Sequence, residues 1–184
     1  LLSTIEVVND SYGDVKGLTA EVRYLDAFGN TFADGSYPLD SGNDTTVRVC
    51  DFEVPAGVDL YYVKLTLTKD GKTIADNFYW EGREPGVWTA IPSPEKSALK
   101  TGWTIGDGSI AATVTNTGKT VIPMVRIDLM SRKSRKEACH QVLPSFYEDN
   151  YFALLPGESR TVRIECLLGE HQGETFSVSA RALR

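Results

Sequence analysis

Hydrophobic and polar residues alternate along this chain with a period of two. Val63, Leu65 and Leu67 are separated by Lys64, Thr66 and Thr68. Val125, Ile127 and Leu129 are separated by Arg126 and Asp128, and Val162, Ile164 and Cys166 by Arg163 and Glu165. Ala20, Val22 and Tyr24 repeat the pattern, as do Val47 and Val49. Such alternation turns one set of side chains to a core and the other to water, which is the signature of half-buried strands. The best helical-looking stretch, residues 132–138, carries no apolar stripe, so no amphipathic helix is expected.

Turn chemistry separates the runs. Asp70-Gly71 lies between two apolar runs, and this dipeptide tolerates the positive φ that a two-residue hairpin needs at both positions. Phe28-Gly29-Asn30, Asn116-Thr117-Gly118 and Pro156-Gly157 are further turn signals. Short strands at such spacing predict an all-β fold of sandwich type. One stretch breaks the alternation. Residues 83–97 read REPGVWTAIPSPEKS and hold three of the eight prolines. Proline cannot donate to a β-ladder. The expected organisation is an immunoglobulin-like sandwich over residues 1–82, a linker over 83–98 and a second such sandwich over 99–184. Each half is close to the ~100 residues of one immunoglobulin-type domain.

Composition narrows the function classes. A net charge of −6 repels phosphate backbones, so nucleic acid is not an expected partner. No apolar run approaches the ~18 residues of a membrane helix, so no membrane insertion is expected. The chain opens on Leu1-Leu2-Ser3, which reads as an excised piece or a mature product. Three cysteines, Cys50, Cys139 and Cys166, do not describe a disulfide framework. Cys139 and Cys166 would bond only if their strands face each other; free buried thiols are the expectation.

The candidate chemistry is thin. Glu148 and Asp149 are adjacent, and neighbours on a strand point to opposite faces, so they do not flank one scissile bond. His140 and His171 are the only histidines. Cys139-His140 invites a metal, but the recurring spacings of structural zinc are absent, and neither metal nor cofactor is expected. With two histidines, no sharp change of stability is expected between pH 5 and 8. Trp80, Trp88 and Trp103 are assigned to core or interface, with Phe78 and Trp80 on one face and Tyr79 on the other. The basic run 131–136 reads as a solvated hairpin loop.

Four stretches carry a resemblance. Residues 142–162, VLPSFYEDNYFALLPGESRTV, resemble a segment of the C-terminal domains of glycoside hydrolase family 2, in the branch of exo-β-mannosidases, exo-β-D-glucosaminidases and endo-β-mannosidases. Residues 62–67 (YVKLTL) and 76–80 (DNFYW) resemble the end of the preceding sandwich in those enzymes, and Asn116-Thr117-Gly118 fits a turn of the last domain. The resemblance implies that the two catalytic glutamates sit on a (β/α)₈ barrel absent from this chain. None of Glu148, Glu158 or Glu165 therefore takes their roles, and no catalytic residue is expected here.

On this reading the chain is a non-catalytic accessory region whose partner is the barrel of the parent chain. An oligosaccharide is the second partner. The segment Phe146, Tyr147, Glu148, Asp149, Asn150 and Tyr151 is the candidate loop shaping the active-site entrance, because it is aromatic, acidic and lies between strands. The alternatives are a carbohydrate-binding module, marked by Trp103, Tyr147 and Tyr151 exposed in a row, and a tandem immunoglobulin-like adhesion module. The resemblance also implies export to the periplasm or exterior of a bacterium.

Overall fold

The computed structural model describes residues 2–95, 97–106 and 108–183. The chain divides into two compact units, Leu1–Ile91 and Pro92–Arg184. Both are built from antiparallel strands, as the alternation predicts.

The first unit holds β1 (Leu2–Asn9), β2 (Val15–Leu25), β3 (Thr31–Ser41), β4 (Thr45–Glu53), β5 (Leu60–Lys69) and β6 (Lys72–Gly82). One sheet pairs β1 with β4; the other runs β3-β2-β5-β6. The core between them contains Ile5, Val22, Tyr24, Val54, Tyr61 and Val63. Tyr24 stacks on Phe52 with ring centroids 4.1 Å apart, tying the larger sheet to β4. The β5–β6 hairpin closes through Asp70 (φ 51°) and Gly71 (φ 73°), with Lys69 opposite Lys72. That is the two-residue turn expected for Asp-Gly.

The proline-containing stretch is shared between the units. A short 3-10 turn, Val87–Ala90, follows β6. A Cβ built on Gly82 would lie 2.3 Å from Val87 Cγ1 and 3.3 Å from the Trp88 ring, so the turn seats on a strand position without a side chain. Arg83 donates to the carbonyls of Val54, Pro55 and Val58. On the other side, Ala98 is buried in the core of the second unit. Of the three tryptophans assigned to core or interface, Trp80 is half-buried, while Trp88 and Trp103 are exposed and stand outside the buried core. Phe78 is half-buried beside it and Tyr79 exposed, as the strand period requires.

The second unit holds β7 (Leu99–Gly106), β8 (Ser109–Asn116), β9 (Ile122–Arg132), β10 (His140–Gln141), β11 (Ser145–Tyr147), β12 (Phe152–Leu154), β13 (Ser159–Cys166) and β14 (Thr175–Ala182). One sheet runs β11-β13-β8-β7. In the other, β9 is central: β14 pairs along one edge, while β10 and β12 share the opposite edge at its two ends. Ile110, Ala112, Val114, Val125, Ile127, Leu129, Val162 and Ile164 meet in the core. All three cysteines are free, as expected; Cys139 is exposed and the other two half-buried, so full burial does not hold for any of them. Residues 133–136 of the basic run lie in the exposed β9–β10 hairpin loop, while the wholly buried Ser131 and the half-buried Arg132 end β9.

Candidate functional site

The segment 146–151 bridges the two sheets of the second unit, and its side chains divide into two groups. Tyr147 and Asn150 turn inward onto β9. Leu129 N–H donates to the Tyr147 hydroxyl at 3.0 Å. Ile127 N–H donates to Asn150 Oδ1 at 2.8 Å, and Asn150 Nδ2 donates back to Ile127 O at 3.1 Å. The Asn150 amide thus imitates a strand residue where no strand is present. With Phe152 opposite Val125, Val142 N–H donating to Leu129 O at 3.2 Å and His140 opposite Ser131, the edge of β9 is capped from end to end. A buried backbone group left without a partner costs about 1–3 kcal/mol, which is why the edge is closed by side chains. Burial pushes the Tyr147 phenol above its ordinary pKa, and the Leu129 amide opposes that shift.

Asp149 pairs with Arg160. The Arg160 guanidinium also lies 5.1 Å over the Phe152 ring. Glu158 accepts from Leu155 N–H at 2.9 Å, and Gly157 (φ 79°) donates to Asn116 O at 2.8 Å. The D-N-Y-F and L-P-G-E strings are therefore a clamp. Asn150 and Glu158 satisfy backbone groups of β9 and the β12–β13 turn, and Asp149 ties the segment to Arg160. Arg160 was not singled out from the sequence. Its place opposite an acidic residue 11 positions away has no signature in strand spacing.

Phe146, Glu148 and Tyr151 face outward. Phe146 is 68% exposed and Tyr151 52%, the latter at φ 66°. Phe146 stands opposite Glu165 in the β11–β13 register and lines a shallow groove with Pro144 and Arg163. Glu148 lines a neighbouring groove with Thr104, Thr161 and the same Arg163. Trp103 stands opposite Ala112, which stands opposite the buried Val162. Paired residues share a face of the sheet. Trp103 is thus on the core face at the β7 edge, while Phe146 is on the outer face. Tyr147 packs against the core. Trp103, Tyr147 and Tyr151 do not form an exposed row.

This architecture defines a class, two tandem immunoglobulin-like β-sandwich domains. The chain belongs to the exo-β-D-glucosaminidase immunoglobulin-fold domain family, whose model matches residues 77–182. The mannosidase immunoglobulin/CBM-like domain family matches residues 4–81. The exo-β-D-glucosaminidase of Streptomyces avermitilis is 27% identical over 189 residues, covering 88% of this chain and 21% of that protein. The exo-chitosanase CsxA of Amycolatopsis orientalis superposes with a TM-score of 0.73 at 19% identity, over 96% of this chain and 24% of that one. A variant of that enzyme in complex with PNP-β-D-glucosamine gives 0.74 at 20% identity. The chain therefore spans about a fifth of the length of the curated relative it matches. Kinship with the immunoglobulin-like domains of glycoside hydrolase family 2 enzymes, expected from residues 62–80 and 142–162, is shown at the level of both halves.

Proposed function

We propose that this chain is a non-catalytic accessory region of a family 2 glycosidase of the exo-β-D-glucosaminidase type. Its two sandwiches brace a catalytic barrel carried elsewhere in the parent polypeptide. The carrying observation is the ordered match of both halves to accessory-domain families, in a chain about a fifth as long as the glycosidase it resembles. The glucosaminidase branch is preferred to the mannosidase branch because the larger matched domain and the named relatives are glucosaminidases and chitosanases. Export of the parent enzyme is part of the same reading, since a polymeric substrate is met outside the cell.

Within that role, the outer side chains of the 146–151 segment are the surface offered to the barrel or its substrate. Phe146, Glu148 and Tyr151 are free of the β9 clamp and carry the entrance function. Tyr147, Asp149 and Asn150 hold them in place. Phe146→Ala and Tyr151→Ala in the full-length parent enzyme are expected to raise KM several-fold for glucosamine oligosaccharides while the second unit keeps its thermal midpoint. Unchanged KM and kcat in both variants would remove the entrance role. Deleting both sandwiches should lower the thermal midpoint of the remaining barrel, and a barrel equally stable without them would remove bracing.

A carbohydrate-binding role is the second reading, favoured by the CBM-like description of the family matched by the first half. Against it, the exposed aromatics of the second unit are not aligned on one face.

A further inference from the structure

Two histidines and a carboxylate converge in the second unit, outside the clamp. His140 lies on β10 opposite Ser131 of β9, and Phe176 of β14 lies opposite the same Ser131 from the other edge. A 3-10 turn, Leu168–His171, brings His171 over this end of the sheet, and Glu174 follows just before β14. His171 Nδ1 is 3.0 Å from Glu174 Oε2. His140 Nε2 is 3.4 Å from the same oxygen. All three ligand atoms lie within 4.8 Å of one another. Zinc bonds to nitrogen and oxygen are about 2.0–2.2 Å, so tetrahedral ligand atoms stand roughly 3.3–3.5 Å apart. The His140–Glu174 separation matches that edge length, and the His171–Glu174 separation, a direct hydrogen bond, is about 0.3 Å shorter.

The surroundings fit a bound cation. The Glu174 side chain is 5% exposed and that of His171 13%. Ser131 and His171 both hydrogen-bond the Glu174 carboxyl, which fixes its position. The Ser131 hydroxyl so orients the carboxylate ligand, while its 3.1 Å approach to His140 Nε2 is a contact that a metal would replace. His140 is half exposed, leaving one side of the cluster open to a water ligand. The set is two imidazoles and one carboxylate, which suits Zn(II) and other borderline divalent ions rather than Mg(II) or Ca(II). The adjoining loop, with Arg132, Lys133, Arg135 and Lys136, is cationic. Long-range attraction therefore adds nothing, and affinity rests on the ligand bonds themselves.

We propose that His140, His171 and Glu174 form a three-ligand site for a divalent transition metal, Zn(II) foremost, which staples the β13–β14 connection to the edge strand β10. Isothermal titration of the reduced 184-residue chain with ZnCl2 at pH 7.5 tests it, alongside His140→Ala, His171→Ala and Glu174→Gln. One zinc per chain is expected. Each ligand substitution should weaken binding tenfold or more, and Ser131→Ala by about tenfold. Zinc should also raise the thermal midpoint of the wild-type chain and leave that of His140→Ala unmoved. His140 is half exposed, so its substitution leaves the fold intact. Absence of saturable binding at millimolar zinc would overturn the site, leaving a hydrogen-bonded His–Glu cluster. So would binding that survives the histidine substitutions but is lost in Cys139→Ser, which would assign the metal to a thiol.

Discussion

Single side chains hold this fold where strands are missing. Asn150 makes both hydrogen bonds that a neighbouring strand would have made to Ile127. Asn150→Ala should therefore destabilise the second unit by about 1–3 kcal/mol, read from urea unfolding. Asn150→Asp keeps the acceptor but sets a carboxylate oxygen against Ile127 O, and should cost at least as much. Asn116 works in the same way. Wholly buried, it donates to Thr120 O and Leu154 O and accepts from Gly118 N–H. The sequence marked these residues as turn formers and as part of a resemblance. It did not reveal their partners, because a side chain standing in for a strand has no period.

Tyr62 shows the opposite case at the same scale. Its ring is fully buried beside Phe78, and its hydroxyl has no hydrogen-bond partner among the described residues. Burial pushes its pKa from 10.0 up to about 12. The raised value means that its contribution to stability is complete below pH 10 and lost as pH rises from 10 through 12. Unfolding midpoints of the first unit should fall across that window. Tyr62→Phe should be neutral or stabilising by about 1 kcal/mol at pH 7, with a shallower alkaline fall. Clear destabilisation at pH 7 would show that the hydroxyl has a partner.

The strands themselves were legible. Val125, Ile127 and Leu129 form the buried face of β9, and Val162 and Ile164 that of β13, as their alternation requires. The Asp70-Gly71 hairpin was legible too. Gly71→Ala forces a side chain onto φ 73° and should cost about 1 kcal/mol in the first unit. The 83–98 stretch was less readable. Prolines marked where the ladder stops, but not that Arg83 would bond three carbonyls or that Gly82 would seat Val87. Gly82→Ala tests that seating. It should lower the thermal midpoint and increase the exposure of Trp88 to a fluorescence quencher. An unchanged midpoint and quenching would mean that the turn has room to yield. Residue type did not reveal that Trp88 and Trp103 would lie outside the buried core. Trp88 sits on a 3-10 turn, and Trp103 on β7 at the end of its sheet, where even a core-facing side chain stays partly exposed.

At the scale of the whole molecule, the chain is two sandwiches whose most distinctive sequence strings make structural contacts. Glu148 is exposed, Asp149 is paired with Arg160, and Glu158 closes a turn. Those placements agree with a bracing part of a larger glycosidase. Calorimetric titration of the 184-residue chain with glucosamine oligosaccharides up to the hexamer tests this most directly. The proposed accessory role predicts flat titrations at millimolar sugar, because it assigns recognition to the barrel. A saturable isotherm abolished by Phe146→Ala or Trp103→Ala would contradict it and make the chain a carbohydrate-binding module in its own right.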